Sequence, residues 1–107
     1  MPDFRNRLIF WQSAANSSPN APMLVRNFGV MLYFDNRQDE AIVAYRRALE
    51  LSSEEPMVHN NIGVIYLNQG KLDEAEMEFK KELEINPGYD KAIANLDSLL
   101  ILKNQLR

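Results

Sequence analysis

The sequence predicts an all-α fold in which antiparallel pairs of helices repeat along the chain. When the 107-residue sequence is shifted by 34 positions, it matches itself at glycine, alanine, asparagine and aromatic positions. The matched pairs include Pro22 and Pro56, Asn27 and Asn61, Gly29 and Gly63, Val30 and Val64, Ala41 and Ala75, and Tyr45 and Phe79. Apolar residues within each period recur three and four residues apart, as on one face of an α-helix. A period of this length is typical of stacked helical hairpins that bury their apolar faces against each other.

Each unit of the repeat contains a first helix, A, and a second helix, B. Helix A of the two units is expected to begin at Pro22 and at Pro56, because proline lacks an N–H that the first turn would leave unpaired. In the first unit we expect helix A over 22–34 and helix B over 38–51. In the second unit Gly70 suits the left-handed residue that ends helix A.

The small residues of each hairpin predict close packing between helices A and B. We expect Gly63 to face Ala75, and Gly29 to face Ala41 in the first unit, so that the two backbones approach each other. A glycine inside a helix costs about 1 kcal/mol relative to alanine. Close contact is the expected compensation for that cost.

The segment before the first unit continues the same register. One period earlier, Trp11 takes the aromatic position of helix B, Ala14 the alanine position and Pro19 the proline position. Residues 3–19 are therefore predicted to form helix B of an incomplete repeat.

The segment after the second unit also continues the register. Residues 90–106 are predicted to form a terminal capping helix, which repeat arrays need. The whole chain, 1–107, is expected to be one domain with complete repeats over 22–55 and 56–89. The apolar residues that take helix-A positions in the capping helix are Ile93, Leu96 and Leu100.

Both units resemble the tetratricopeptide repeat. That family places a large apolar residue before glycine, then an aromatic residue, alanine, a second aromatic residue, alanine and proline at set offsets. Those positions hold Ile62-Gly63, Tyr66, Ala75, Phe79, Glu82 and Pro87 in the second unit, and Phe28-Gly29, Leu32, Ala41, Tyr45, Ala48 and Ser53 in the first. The resemblance implies a right-handed superhelical α-α repeat solenoid of about six antiparallel helices. It also implies that the A helices line a concave face that binds a peptide or protein segment.

The resemblance also identifies the side chains expected to contact the partner. Asparagine donates and accepts hydrogen bonds, so it can bind a peptide backbone of any sequence. Arginine and lysine can pair with a carboxylate, and methionine makes adaptable apolar contacts. The predicted partner-binding residues are Arg26, Asn27, Val30 and Tyr33 in the first unit, Asn60, Asn61, Val64 and Asn68 in the second, and Lys91 and Asn95 in the last helix. Also on this face are Met23, Phe34, Met57 and Ser98.

Some relatives clamp the C-terminal carboxylate of heat-shock chaperones with lysines, asparagines and an arginine. Asn61 and Lys91 match that set, and Arg26 stands where a lysine is expected. Val30 replaces an asparagine and Asn95 replaces the arginine. Two of the five polar ligands are therefore missing, and this clamp is not predicted.

The last predicted helix suggests two alternative functions. It is apolar around much of its circumference, which makes Leu99, Leu102 and Leu106 candidate contacts in a homodimer. The first alternative is therefore an oligomerising or structural segment. The second is a regulatory tail excised from a membrane-anchored protein. The opening residues, from Arg5 to Pro19, resemble the stretch where repeats begin after the membrane region of bacterial membrane glycosyltransferase-like proteins.

Composition argues against bulk nucleic-acid binding, and the single histidine forms no recognisable catalytic arrangement with a nucleophile and an acid. The net charge of -3 does not suit a polyanionic partner, and the lack of cysteine excludes disulfides and thiolate metal sites. We predict no catalytic residue, metal or cofactor, only a protein or peptide partner. The one histidine, His59, is expected to be a packing residue, and the acids of the second helix B a solvated face.

No apolar run approaches the roughly 20 residues that span a bilayer, so no membrane insertion is expected. The default prediction for location is the cytoplasm, and the alternative is a soluble domain of a membrane-anchored protein.

Overall fold

The computed structural model describes residues 4–17 and 21–106, which contain six helices and no strand. The chain divides into two compact units, Met1–Glu55 and Pro56–Arg107. The all-α fold with about six helices is therefore confirmed. None of these helices is long and apolar enough to cross a membrane. The helices are α1 (Phe4–Ser17), α2 (Pro22–Phe34) and α3 (Gln38–Leu51) in the first unit, and α4 (Val58–Asn68), α5 (Leu72–Ile85) and α6 (Asp90–Gln105) in the second.

In the first unit, α2 and α3 form a hairpin whose helix bounds agree with the predicted ones. Val25, Gly29 and Leu32 form the buried side of α2, at the predicted helical spacing. Tyr45 and three alanines form the buried side of α3. Because alanine side chains are short, the two helices can pack closely around the tyrosine ring.

α1 packs against α2. Its residues, Phe4–Ser17, make up most of the segment 3–19 that was predicted as an incomplete repeat. Trp11, which was predicted to take the same position as Tyr45, is half-buried in α1. Its ring lies edge-to-face with that of Phe10, with 5.4 Å between the ring centroids. Pro19, predicted to close this repeat, lies outside the described residues, so the assignment of 3–19 stays a prediction.

A glycine lies against an aromatic ring in both hairpins. A Cβ atom on Gly29 would lie 2.6 Å from Cε1 of Tyr45, and one on Gly63 would lie 2.5 Å from Cε1 of Phe79. The atoms nearest to such a Cβ therefore belong to the ring, and not to Ala41 or Ala75, which the glycines were expected to face. A methyl group at either position would have to displace a fully packed ring.

The turns after α2 and α4 have the same geometry one period apart. Asn36 and Gly70 both have positive φ, 60° and 76°. The next residue in each turn donates its N–H to a carbonyl five residues back, from Arg37 to Leu32 at 2.9 Å and from Lys71 to Tyr66 at 2.9 Å. This is the Schellman ending of a helix, which needs a left-handed residue. Asparagine adopts that conformation more readily than most other side chains, which explains why Asn36 can stand where the second unit has glycine.

In the second unit, α5 packs against both α4 and α6. A buried cluster of Ala75, Phe79 and Leu99 joins α5 to α6. Leu96 is half-buried against that cluster. Ile93 and Leu100, which were predicted to take packing positions of helix A, are exposed. The line of α6 that packs inward therefore starts one residue before Ile93, at Ala92, and continues through Leu96 and Leu99.

The first helix of the second unit begins at Val58, so the prediction that it begins at Pro56 is wrong. Met57 has a φ of 73°, which is outside the helical region. The carboxylate of Glu82 accepts the N–H of Met57 at 3.2 Å and the N–H of Asn60 at 3.0 Å. One buried carboxylate thus satisfies two N–H groups at the start of α4 and complements the positive end of the helix dipole. The first unit has Ala48 at this position, and there helix A begins at the proline, as predicted.

Candidate partner-binding surface

Most of the residues predicted to bind a partner in the first unit lie opposite the buried side of α2. Met23, Asn27, Val30 and Phe34 are spaced by four, three and four residues, which places them in one line along the helix. Met23 and Phe34 are 52% and 65% exposed, and Asn27 and Val30 are half-buried. Tyr33 lies beside this line, with its ring centroid 5.6 Å from that of Phe34 in an edge-to-face arrangement. We call these five residues the α2 face.

Arg26 borders the α2 face but is already paired within its own unit. Its Nη1 donates to Oε1 of Glu55 at 2.9 Å, and the two side chains are only 13% and 12% exposed. Nη2 also lies 3.5 Å from the amide oxygen of Asn27. The predicted role of Arg26 as a ligand for a partner's carboxylate would therefore require it to leave Glu55.

In the second unit, two of the predicted partner-binding residues bond to each other. Asn95 of α6 donates its amide Nδ2 to Oδ1 of Asn60 in α4 at 3.0 Å. Asn60 is buried, and its backbone N–H is bound by Glu82. Asn60 is thus an internal residue that joins three helices, and its prediction as a partner contact is wrong. Asn95 is half-buried, and this bond uses one N–H of its amide group.

The remaining predicted residues of the second unit divide by exposure. Asn68 at the end of α4 and Lys91 at the start of α6 are exposed. Asn61 is half-buried. Val64 is half-buried and packs against the cluster formed by Phe79 and its neighbours. Asn61, Asn68 and Lys91 are therefore the predicted polar residues of this unit that a partner can reach.

His59 forms a buried pair with an acid, which the sequence did not reveal. Its Nδ1 lies 2.8 Å from Oε1 of Glu78, and the two side chains are 12% and 4% exposed. A histidine and a carboxylate are two of the three members of a catalytic triad, but here both side chains are largely buried and tie α4 to α5. The prediction that the acids of α5 form a solvated face is wrong for Glu78 and Glu82, which are both buried.

Charges at the end of α6 hold it against the start of α5. Lys103 Nζ lies 2.5 Å from Asp73 Oδ1 and 2.9 Å from Glu76 Oε1, and Lys80 also donates to Glu76 at 2.8 Å. The hydrogen bond from Lys80, followed by that from Lys103, lowers the pKa of the Glu76 carboxyl. Burial, with a smaller contribution from the Glu82 carboxylate, raises the pKa of the Tyr89 hydroxyl.

The three candidate oligomer contacts of α6 differ in accessibility. Leu99 is fully buried in the core of its own unit, so the prediction that it contacts a second copy is wrong. Leu102 and Leu106 are 37% and 68% exposed. Leu100 and Ile101 beside them are also exposed. We call Leu100, Ile101, Leu102 and Leu106 the α6 apolar surface.

Sequence reasoning missed an open groove of about 450 Å³ in the first unit. Its floor is apolar, and its rim includes Arg37 and Arg47, which pair with Glu40 and Glu50. No sequence signal marks it, because its walls come from three different helices. The groove is lined by Gln12, Asn16, Val25, Phe28, Leu32, Arg37, Glu40, Val43, Ala44 and Arg47.

Within residues 4–17 and 21–106, no cluster of three or more histidine or acidic side chains is arranged to hold a metal ion. The α2 face, with Asn61, Asn68 and Lys91 of the second unit, instead offers mainly apolar side chains, asparagine amides and a lysine. These groups suit contact with another polypeptide, through apolar burial and hydrogen bonds to its backbone.

Family comparisons match the middle of the chain. A model described as TPR repeat matches residues 29–70, and a model described as tetratricopeptide repeat matches residues 58–89. The two matches together cover 29–89, which includes α3 to α5 and the second half of α2, from Gly29. No curated protein sequence matches the chain.

Several solved structures share the fold. The first TPR domain of Spaghetti (RPAP3), bound to the HSP90 peptide SRMEEVD, has a TM-score of 0.87 at 17% identity, covering 94% of this chain and 80% of that one. The Yersinia enterocolitica type III secretion chaperone SycD, in complex with a peptide of the translocator YopD, has a TM-score of 0.85 at 16% identity, covering 94% and 82%. YrrB, a TPR protein with an unusual peptide-binding site, has a TM-score of 0.82 at 23% identity, covering 89% and 49%. At these identities the likeness shows the fold alone.

Proposed function

We propose that this chain, which belongs to the tetratricopeptide repeat family, is a non-catalytic module that binds a peptide or protein segment on its A helices. Its role would be to hold a partner in place as a scaffold. In the first unit the proposed contact surface is the α2 face. In the second unit, taken by itself, the proposed contacts are Asn61, Asn68 and Lys91. The similar folds whose structures contain peptides support this class of function.

The exposure of the α2 face is the observation that carries the proposal. Met23 and Phe34 are large apolar side chains at the two ends of α2, and both are more than half exposed. Val30 lies on the same line between them. Covering apolar side chains with a partner is favourable by about 25 cal/mol per Å² of apolar surface. Aromatic and methionine side chains are also the ones enriched where proteins bind each other.

A selection from a random peptide library displayed on phage tests the proposal with matched variants. Phe34→Ser removes an exposed apolar side chain from the α2 face. Val43→Ser removes a similarly exposed one from α3, where it lines the groove instead. We expect selected peptides to bind the wild type and Val43→Ser equally, and to bind Phe34→Ser about tenfold more weakly, the equivalent of about 1.4 kcal/mol. Equal binding to all three chains, or loss only in Val43→Ser, would place the site elsewhere.

The α6 apolar surface supports a second candidate, a homodimer. The exposed leucines and isoleucine lie within seven residues of each other on one helix. Ile101→Glu and Leu106→Glu are expected to dissociate such a dimer, whereas Asn104→Glu, at an exposed polar position of the same helix, is the matched control. Sedimentation equilibrium measures the association. A wild-type chain that stays monomeric up to high concentration contradicts this candidate.

The assignment to a membrane-anchored protein and the cytoplasmic location remain predictions. Hydrophobic spans encoded upstream of Met1 in the full-length gene would support the first of them. An assay in which the purified chain turned over a small substrate would contradict the non-catalytic role.

A further inference from the structure

We infer that Glu55 sets the class of partner that the α2 face accepts, because it holds Arg26 as an internal counter-ion. The face then selects an uncharged, apolar segment over one that carries carboxylates. This inference rests on the proposed function and goes further by naming the chemistry of the partner.

The first step concerns the charge of α2. Arg26 is the only charged residue among the 13 residues of this helix. It follows Met23 by three residues and precedes Val30 by four, so its side chain borders the α2 face. Any attraction of α2 for an acidic partner would therefore depend on Arg26.

The second step concerns what Arg26 already binds. Its guanidinium donates to the Glu55 carboxylate at 2.9 Å, and both side chains are largely buried. A partner carboxylate could take that place only by leaving the Glu55 carboxylate without its cation in a poorly hydrated position. Removing one member of a buried ion pair is strongly unfavourable. The pair thus acts against acidic partners, as a repulsive element does in a specific interface.

The third step concerns what the face still offers. With Arg26 neutralised, the line consists of three apolar side chains, Met23, Val30 and Phe34, and one amide, Asn27. None of these four side chains carries a charge that would attract an ionised group of the partner. Apolar anchors that fit beside Phe34, with a backbone amide near Asn27, match these groups.

The test compares one random peptide library on the purified wild-type chain and on three variants. Glu55→Gln removes the negative charge that pairs with Arg26. Glu54→Gln removes the same charge from the neighbouring exposed position and is the matched control. Arg26→Gln/Glu55→Gln removes both members of the pair. Thermal unfolding followed by circular dichroism shows which variants are folded.

We expect the wild type, Glu54→Gln and the double variant to enrich peptides rich in leucine, methionine and aromatic residues and poor in acids. Glu55→Gln should enrich acidic peptides. These should bind Glu55→Gln at least about tenfold more tightly than the wild type, by a margin that shrinks as salt is added. If Glu55→Gln does not fold, the double variant provides the test of the inference, because it should enrich the same apolar peptides as the wild type.

Three results would overturn the inference. The first is enrichment of acidic peptides on the wild type, and the second is the same peptide composition on Glu55→Gln and Glu54→Gln. In both cases the chain still binds peptides, so the proposed function stands. The third is a failure of every chain to enrich any peptide, and that result removes the proposed function together with the inference.

Discussion

Glu82 is expected to be one of the most sensitive positions in the second unit. Its carboxylate accepts the N–H groups of Met57 and Asn60, which α4 itself leaves unpaired. A hydrogen bond to a charged group is worth about 1.5–3 kcal/mol, and the loss of a helix N-cap costs about 1 kcal/mol. Glu82→Gln keeps the shape and one acceptor oxygen, so it should lower the free energy of unfolding by about 2 kcal/mol. Glu82→Ala removes both acceptors and leaves a void, so it should cost about 3–4 kcal/mol.

The control for this substitution is Glu84→Gln, which removes the same charge from an exposed position of the same helix and should change stability by less than about 0.5 kcal/mol. Thermal unfolding followed by circular dichroism should show Glu82→Gln melting about 10 °C below the wild type. Hydrogen exchange at the amides of Met57 and Asn60 should also become faster. The reasoning is refuted if Glu82→Ala, which restores the alanine of the family pattern, melts together with Glu84→Gln.

Further predictions concern packing and pH. Gly29→Ala should lower the free energy of unfolding by about 1–2 kcal/mol, because its methyl group would meet a buried ring, whereas Gly88→Ala, with no atom within 4 Å, should not; urea unfolding measures both. The lowered pKa of Glu76 means that its contribution to stability is present above its ordinary pKa of 4.5 and is lost as the pH falls through the lowered value. The deficit of Glu76→Gln against the wild type should therefore shrink in acid, and a constant deficit would contradict the ion pairs. The raised pKa of Tyr89 stabilises the fold below its ordinary pKa of 10.0, and this stabilisation is lost as the pH rises through the raised value. Tyr89→Phe should remove that alkaline loss, and ultraviolet absorption should follow the ionisation.

The repeat made most of the fold predictable from the sequence. The two helices of each pair pack against each other in the same way, so the glycine and the aromatic residue recur at the same offset. Gly29 with Tyr45 and Gly63 with Phe79 now show the reason, since each ring occupies the space that a side chain on the glycine would need. Propensity and spacing were enough to give the bounds of α2 and α3.

The polar contacts could not be predicted in the same way. Arg26 pairs with a residue 29 positions away, and Asn60 with one 35 positions away. Such partners depend on the exact rotation of helices against each other, which a periodic pattern does not specify. Asn60 stands at a position of the repeat that is predicted to face a partner. In the structure it is instead bound within its own unit, by Asn95 and Glu82.

The beginning of α4 shows how one substitution changes a local structure. Pro56 was expected to be the first residue of the helix, but the helix starts two residues later, at Val58. The signal was the glutamate at Glu82, where the family has alanine. The sequence alone does not show that the Glu82 carboxylate lies beside the N–H groups of Met57 and Asn60, and that position explains the later start of the helix.

The most direct test of the central claim is a nuclear magnetic resonance titration of the ¹⁵N-labelled chain with a peptide enriched in the library selection. The proposed function predicts that the amide signals of Asn27, Val30 and Phe34 shift as the peptide is added, and that the Asn27 side-chain amide shifts with them. Signals of Ile101 and Leu106 should stay in place. Shifts confined to Ile101, Leu106 and their neighbours would contradict the claim and assign binding to the α6 apolar surface instead.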